Sequence, residues 1–111
     1  MLWFLRGLRK GVVTTRYPRA ADAWSGMLPT PPMFDSSLLT EELAERLVQG
    51  CPAGALRRDG DRLVLDLGAC TGCGVCGDLG GAAVVVPSGC FELASRDRLA
   101  LLKRIPIGAD R

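Results

Sequence analysis

Three cysteines in one short run, Cys70, Cys73 and Cys76, constrain this chain more than any other feature. A fourth, Cys51, stands 19 residues upstream and is followed directly by Pro52. A tight loop with thiols at every third position can reach three corners of an iron–sulfur cubane. The fourth thiolate must then come from a different segment folded over it. A Cys-x2-Cys-x2-Cys run with a remote Cys-Pro is the ligand spacing of one [4Fe–4S] cluster, so Cys51, Cys70, Cys73 and Cys76 are the expected ligands.

The residues between the cysteines suit that role. Gly68, Gly72, Gly74 and Gly77 punctuate the loop, and glycine takes the positive φ that aims backbone N–H groups at sulfur. Such hydrogen bonds raise a cluster's potential. Val75, Ala69 and Leu79 are expected to keep the site dry, and Pro52 fits the first turn of a short helix. Zinc is the alternative. Four-cysteine zinc sites usually arrange their ligands as two separated Cys-x2-Cys pairs. Here there is one run and no second pair, and the chain has no histidine for a mixed site. Disulfides fit less well, because the cysteines suit a reducing compartment and the apolar run before Arg6 is too short for a secretory signal.

The stretch from Cys51 to Val86 resembles the second half of a two-cluster bacterial ferredoxin, with Cys51-Pro52-Ala53-Gly54-Ala55-Leu56 similar to its Cys-Pro-x-x-Ala-Ile segment. Gly11-Val12-Val13-Thr14-Thr15-Arg16-Tyr17-Pro18 resembles the lead-in of the ferredoxin-like subunit of formate hydrogenlyase and related membrane-bound [NiFe] hydrogenases. That subunit is related to subunit I of complex I. Phe91-Glu92-Leu93-Ala94 is similar to its segment after the second cluster. The resemblance implies an α+β fold of the bacterial ferredoxin kind, a duplicated βαβ unit. It also implies contacts with small, large and membrane subunits, at the cytoplasmic face of the inner membrane.

The departure from that pattern is coherent. A second cluster would need cysteines at Glu41, Ala44, Leu47 and Gly80, and proline at Gly81; none is present. The chain is therefore expected to hold one [4Fe–4S] cluster, with the other site lost. Cys90, in Pro87-Ser88-Gly89-Cys90, matches no ligand slot and is expected to be a bystander in a turn between strands.

With 111 residues the chain makes one small domain with extensions. A core of that size is marginal, so ligation is expected to supply part of the folding energy. A net charge of +2 gives no basis for nucleic-acid binding, and no stretch approaches the roughly 18 apolar residues of a membrane span.

The charge is uneven. Residues 1–20 contain Arg6, Arg9, Lys10, Arg16 and Arg19 and no acid. Read as a helix from Leu2 to about Val13, Phe4, Leu5, Leu8 and Val12 share one side, with Arg6, Arg9 and Lys10 on the other. Trp3 and Val13 break the split, and Gly7 and Gly11 weaken the helix. A basic amphipathic helix of this kind lies on a membrane surface or in a partner groove, so 1–16 is assigned as a docking helix. Residues 17–37 form a Pro-rich extended linker, with Pro18, Pro29, Pro31 and Pro32 opposing regular structure. Its apolar residues Trp24, Met27, Leu28, Met33 and Phe34 are expected to dock on another protein rather than wrap back.

Residues 38–94 are assigned as the cluster domain. Thr40 is the expected N-cap of a helix to Gly50, with Leu43 and Leu47 facing the core. Ala55–Arg58 and Arg62–Leu67 read as a hairpin around Asp59-Gly60, with Leu63, Leu65 and Leu67 alternating against Val64 and Asp66. Residues 77–81 read as a short turn or weak helix, and 82–86 and 91–94 as strands. Residues 95–104 read as a closing helix capped by Ser95, leaving 95–111 as helix and tail. Two functions follow: an electron-transfer subunit of a membrane-associated hydrogenase or complex I-like assembly, or a structural adaptor whose cluster or zinc only folds the domain. Independent catalysis is disfavoured, since there is no histidine and no paired-carboxylate signature.

Overall fold

A computed structural model describes residues 2–11, 16–21 and 29–108. Its elements are helix α1 (Leu2–Lys10), strand β1 (Pro32–Phe34), helix α2 (Glu41–Gly50), strands β2 (Leu56–Asp59) and β3 (Arg62–Asp66), helix α3 (Val75–Gly80), strand β4 (Val85–Pro87) and, after a 3₁₀ turn at Arg98–Leu101, strand β5 (Leu102–Pro106). The molecule is an α+β fold with two antiparallel sheets, β1–β4 and β2–β3–β5.

α2 forms as the sequence expects. The Thr40 hydroxyl accepts the Leu43 N–H at 3.2 Å, and Glu41 and Glu42 face the positive helix start. Ala44 and Leu47 are fully buried, and Leu43 packs at the edge of the core. The hairpin also forms, but its two-residue loop is Gly60-Asp61, one step later than expected, because Asp59 pairs with Arg62. Gly60 has φ +60°, the first central position of a primed turn. Leu63 and Leu65 point into the core with Leu39, Leu47 and Leu56. Val64 and Asp66 are also buried, so β3 is covered on both faces rather than alternating.

Four expectations are corrected. Residues 95–104 are not a helix. Asp97, not Ser95, caps a 3₁₀ turn by accepting the Leu99 N–H at 3.0 Å, and the chain then pairs with β3 from Leu102 to Pro106. The free edge of β3 outweighs helix propensity here, and Pro106 is tolerated because β5 is an edge strand. Residues 91–94 are not a strand; they are exposed and irregular, with Phe91 against Tyr17 at 5.5 Å between rings. The later strand is Val85–Pro87 rather than 82–86. Nor is 17–37 without regular structure: β1 pairs with β4, Phe34 packs against the core, and Asp35 N–H donates to Val84 O at 2.8 Å. The end of this segment wraps back over its own domain. Trp24, Met27 and Leu28 lie outside the described residues, as do Val12 and Val13.

α1 is helical, and every one of its residues is exposed, Leu2, Trp3, Phe4, Leu5 and Leu8 included. Among the described residues no helix is long and apolar enough to cross a membrane.

Candidate metal centre

Each cysteine is delivered by a different piece of local structure. Cys51 follows α2 as its C-cap, its N–H donating to Leu47 O at 3.1 Å. Pro52 does not open a helix; it occupies the second position of a tight turn that Gly54 N–H closes onto Cys51 O at 3.2 Å. Cys70 ends a turn in which the Asp66 carbonyl accepts the N–H groups of both Ala69 and Cys70. Cys73 sits between Gly72 (φ +69°) and Gly74 (φ +80°), a left-handed pair that only glycine adopts cheaply. Cys76 stands in the first turn of α3, for which Gly74 is the N-cap.

Cys51, Cys70, Cys73 and Cys76 all line one cavity of about 120 Å³. Cys51, Cys70 and Cys76 are half-buried and Cys73 is exposed. Pro52, Ala53, Ala55 and Leu56 form one wall, Leu65, Val85 and Pro87 another. Among the described residues, none around the cavity is charged. The expected dry wall of Val75, Ala69 and Leu79 is thus replaced: Ala69 and Leu79 pack against the core instead of lining the cavity. Cys90 is exposed, lies off this cavity, and places its Sγ 3.9 Å from Glu92 O.

Burial pushes the Cys76 thiol up, with the neighbouring Cys70 and Cys73 adding to the rise and the Gly77 N–H opposing it. Packing several thiols around an uncharged cavity disfavours thiolates unless a cation neutralises them. A cationic iron–sulfur core would supply that charge, and four cysteines are a donor set of the kind such a core takes. Among the described residues no three His, Cys, Asp or Glu side chains close on one point as the ligands of a single ion do.

One supporting contact has no sequence signature. Arg98 donates to both oxygens of Asp66 at 2.6 and 2.5 Å, and Asp66 Oδ1 also accepts the Gly68 N–H at 2.9 Å. The fork geometry is that of a strong bidentate pair. It ties the C-terminal 3₁₀ turn to the start of the cysteine loop, and it holds the Asp66 carboxyl down at about 2. The two residues are 32 positions apart, and nothing local pairs them.

No family model matches the chain, and no curated protein matches its sequence.

Proposed function

We propose that this chain is a one-electron carrier built around a single [4Fe–4S] cluster held by Cys51, Cys70, Cys73 and Cys76, and that it works as a subunit of a membrane-associated hydrogenase or complex I-like assembly. The observation that carries this reading is that Cys51 at the end of α2 and Cys70, Cys73 and Cys76 from the later loop and the start of α3 line one cavity, with no charged side chain among its described lining residues. The group supplies reversible one-electron exchange when bound. The protein's residues bind it through the thiols, exclude water with the apolar walls, and offer an exposed corner at Cys73.

The order β1-α2-β2, β3-α3-β4 supports a duplicated βαβ plan of the bacterial ferredoxin kind, because the outer strands β1 and β4 pair and the inner strands β2 and β3 pair. On this reading, side chains occupy the place of a second cluster. Ala44 and Leu47 are fully buried in α2, and the missing Cβ of Gly80 would face Leu47 Cδ2 at 3.7 Å. The exposed α1, basic on one side and apolar on the other, supports peripheral attachment to an anionic membrane surface or to a membrane subunit.

The structural-adaptor reading draws on the size of the core. Only ten apolar side chains are buried among the described residues, so ligation stabilises the fold whatever else it does. Reductive titration separates the two. In the carrier, anaerobic dithionite adds one electron per chain, gives a cluster EPR signal, and is reversed by a mild oxidant. A site that takes up no electron in the accessible range leaves the adaptor.

A further inference from the structure

Resting on the cluster reading above, we infer that residues 29–32 are a positioning strap: they close one side of the cysteine cavity and press on the loop that carries Cys70, Cys73 and Cys76. Three observations converge on it. Thr30 and Pro32 line the cavity alongside the four cysteines. The strap is pinned at two points, Ser88 N–H donating to Pro31 O at 2.9 Å and Gly89 N–H to Thr30 Oγ1 at 3.1 Å. Its leading residue touches the loop: a Cβ on Gly72 would stand 3.2 Å from Pro29 Cβ and 3.4 Å from the Pro29 carbonyl carbon.

The proline content has a physical use here. Pro29, Pro31 and Pro32 have no N–H to satisfy, so Thr30 alone brings a backbone donor to the strap where it crosses the apolar cavity. Fixed φ values also make it stiff, which keeps it seated with few hydrogen bonds. Gly72 answers on the other side: a Cβ there would crowd Pro29, in addition to the strain that φ +69° puts on any side chain. The prolines that read as a partner-docking linker thus serve the chain's own site.

The test is the rate at which a thiol reagent labels Cys51, Cys70, Cys73 and Cys76 in the full chain as purified without oxygen, read by mass spectrometry. Exposed Cys90 is the internal reference. This readout needs no activity and works whether the cavity holds iron–sulfur, zinc or nothing. Iron and sulfide counted on the same sample judge the cluster reading separately. Gly72→Ala is compared with and without Pro29→Gly. If the strap seats on the loop, Gly72→Ala speeds labelling and Pro29→Gly in that background recovers part of the loss, a coupling that independent sites do not show. Purely additive effects overturn the proposal. If Gly72→Ala does not fold, Thr30→Val decides. Loss of the Thr30 hydrogen bond is expected to speed labelling about 5-fold, Thr30→Ser is expected to keep the original rate, and an unchanged rate in Thr30→Val overturns the proposal.

Discussion

Leu47 and Gly80 meet across the α2–α3 interface, with a Cβ on Gly80 set to stand 3.7 Å from Leu47 Cδ2 and only 2.7 Å from Val85 Cγ2. On the proposed ferredoxin-like reading, both positions are ligand slots of a second cluster. Here Leu47 is fully buried, and the space left by Gly80 is what Val85 needs beside it.

Leu47→Ala is therefore expected to cost about 2–5 kcal/mol, the range for a buried leucine truncated in a core. Gly80→Ala is expected to cost about 1–3 kcal/mol by overpacking against Val85. Chemical denaturation of both variants checks these values. Restoring cysteines together at Glu41, Ala44, Leu47 and Gly80 is expected to add no iron. On the continuous helix α2, the first three are strung along the axis at about 4.5 Å intervals, not wrapped around a cubane. Eight irons per chain in that variant would contradict the packing described for α2.

The Asp66–Arg98 pair sets an acid dependence. The Asp66 carboxyl is held at about 2, chiefly by its hydrogen bonds with Arg98, against 3.8 when unpaired. A depressed folded-state value means the pair's stabilisation is present above the unfolded pKa and is lost as pH falls through the folded one. Wild type is therefore expected to lose stability between about pH 4 and 2 relative to Asp66→Asn. Melting curves across that window check it; parallel curves would show that the pair contributes nothing.

Ligand assignment is testable by single replacements. Cys51→Ala, Cys70→Ala, Cys73→Ala and Cys76→Ala are each expected to lose or destabilise the bound group, while Cys90→Ala keeps it. Visible absorbance and iron content of the anaerobic proteins read the outcome. A group lost only in Cys90→Ala would move the fourth ligand.

Much of this was legible in the sequence where the signal is local. The cysteine spacing, the Thr40 cap, the amphipathic α2 and the Asp59-Gly60 turn signal all act within a few residues, and the cysteines do gather at one cavity. What escaped depends on distant partners. β1 and β4 are three residues each, bounded by Pro32 and Pro87, which pair with each other; prolines argue against strands until an edge position makes them harmless. Residues 98–106 carry helix formers, yet the unpaired edge of β3 draws them into a sheet. Arg98 and Asp66, and Thr30 and Gly89, are joined only by the folded chain.

None of α1 is buried among the described residues, so removing residues 1–11 is expected to leave stability within about 0.5 kcal/mol, the usual range for exposed surface. Binding to vesicles containing anionic lipid is expected to fall. Replacing Arg6, Arg9 and Lys10 together by Gln should weaken it roughly 100-fold, at about 1 kcal/mol per cation. Sedimentation with vesicles at low salt reads the change. Undiminished binding would remove the helix from the attachment.

The most direct measurement is iron, acid-labile sulfide and zinc per chain in protein purified without oxygen. About four irons with matching sulfide and no zinc is the expected result, one cubane on Cys51, Cys70, Cys73 and Cys76. One zinc per chain with no sulfide would contradict it and leave a structural domain in place of an electron carrier.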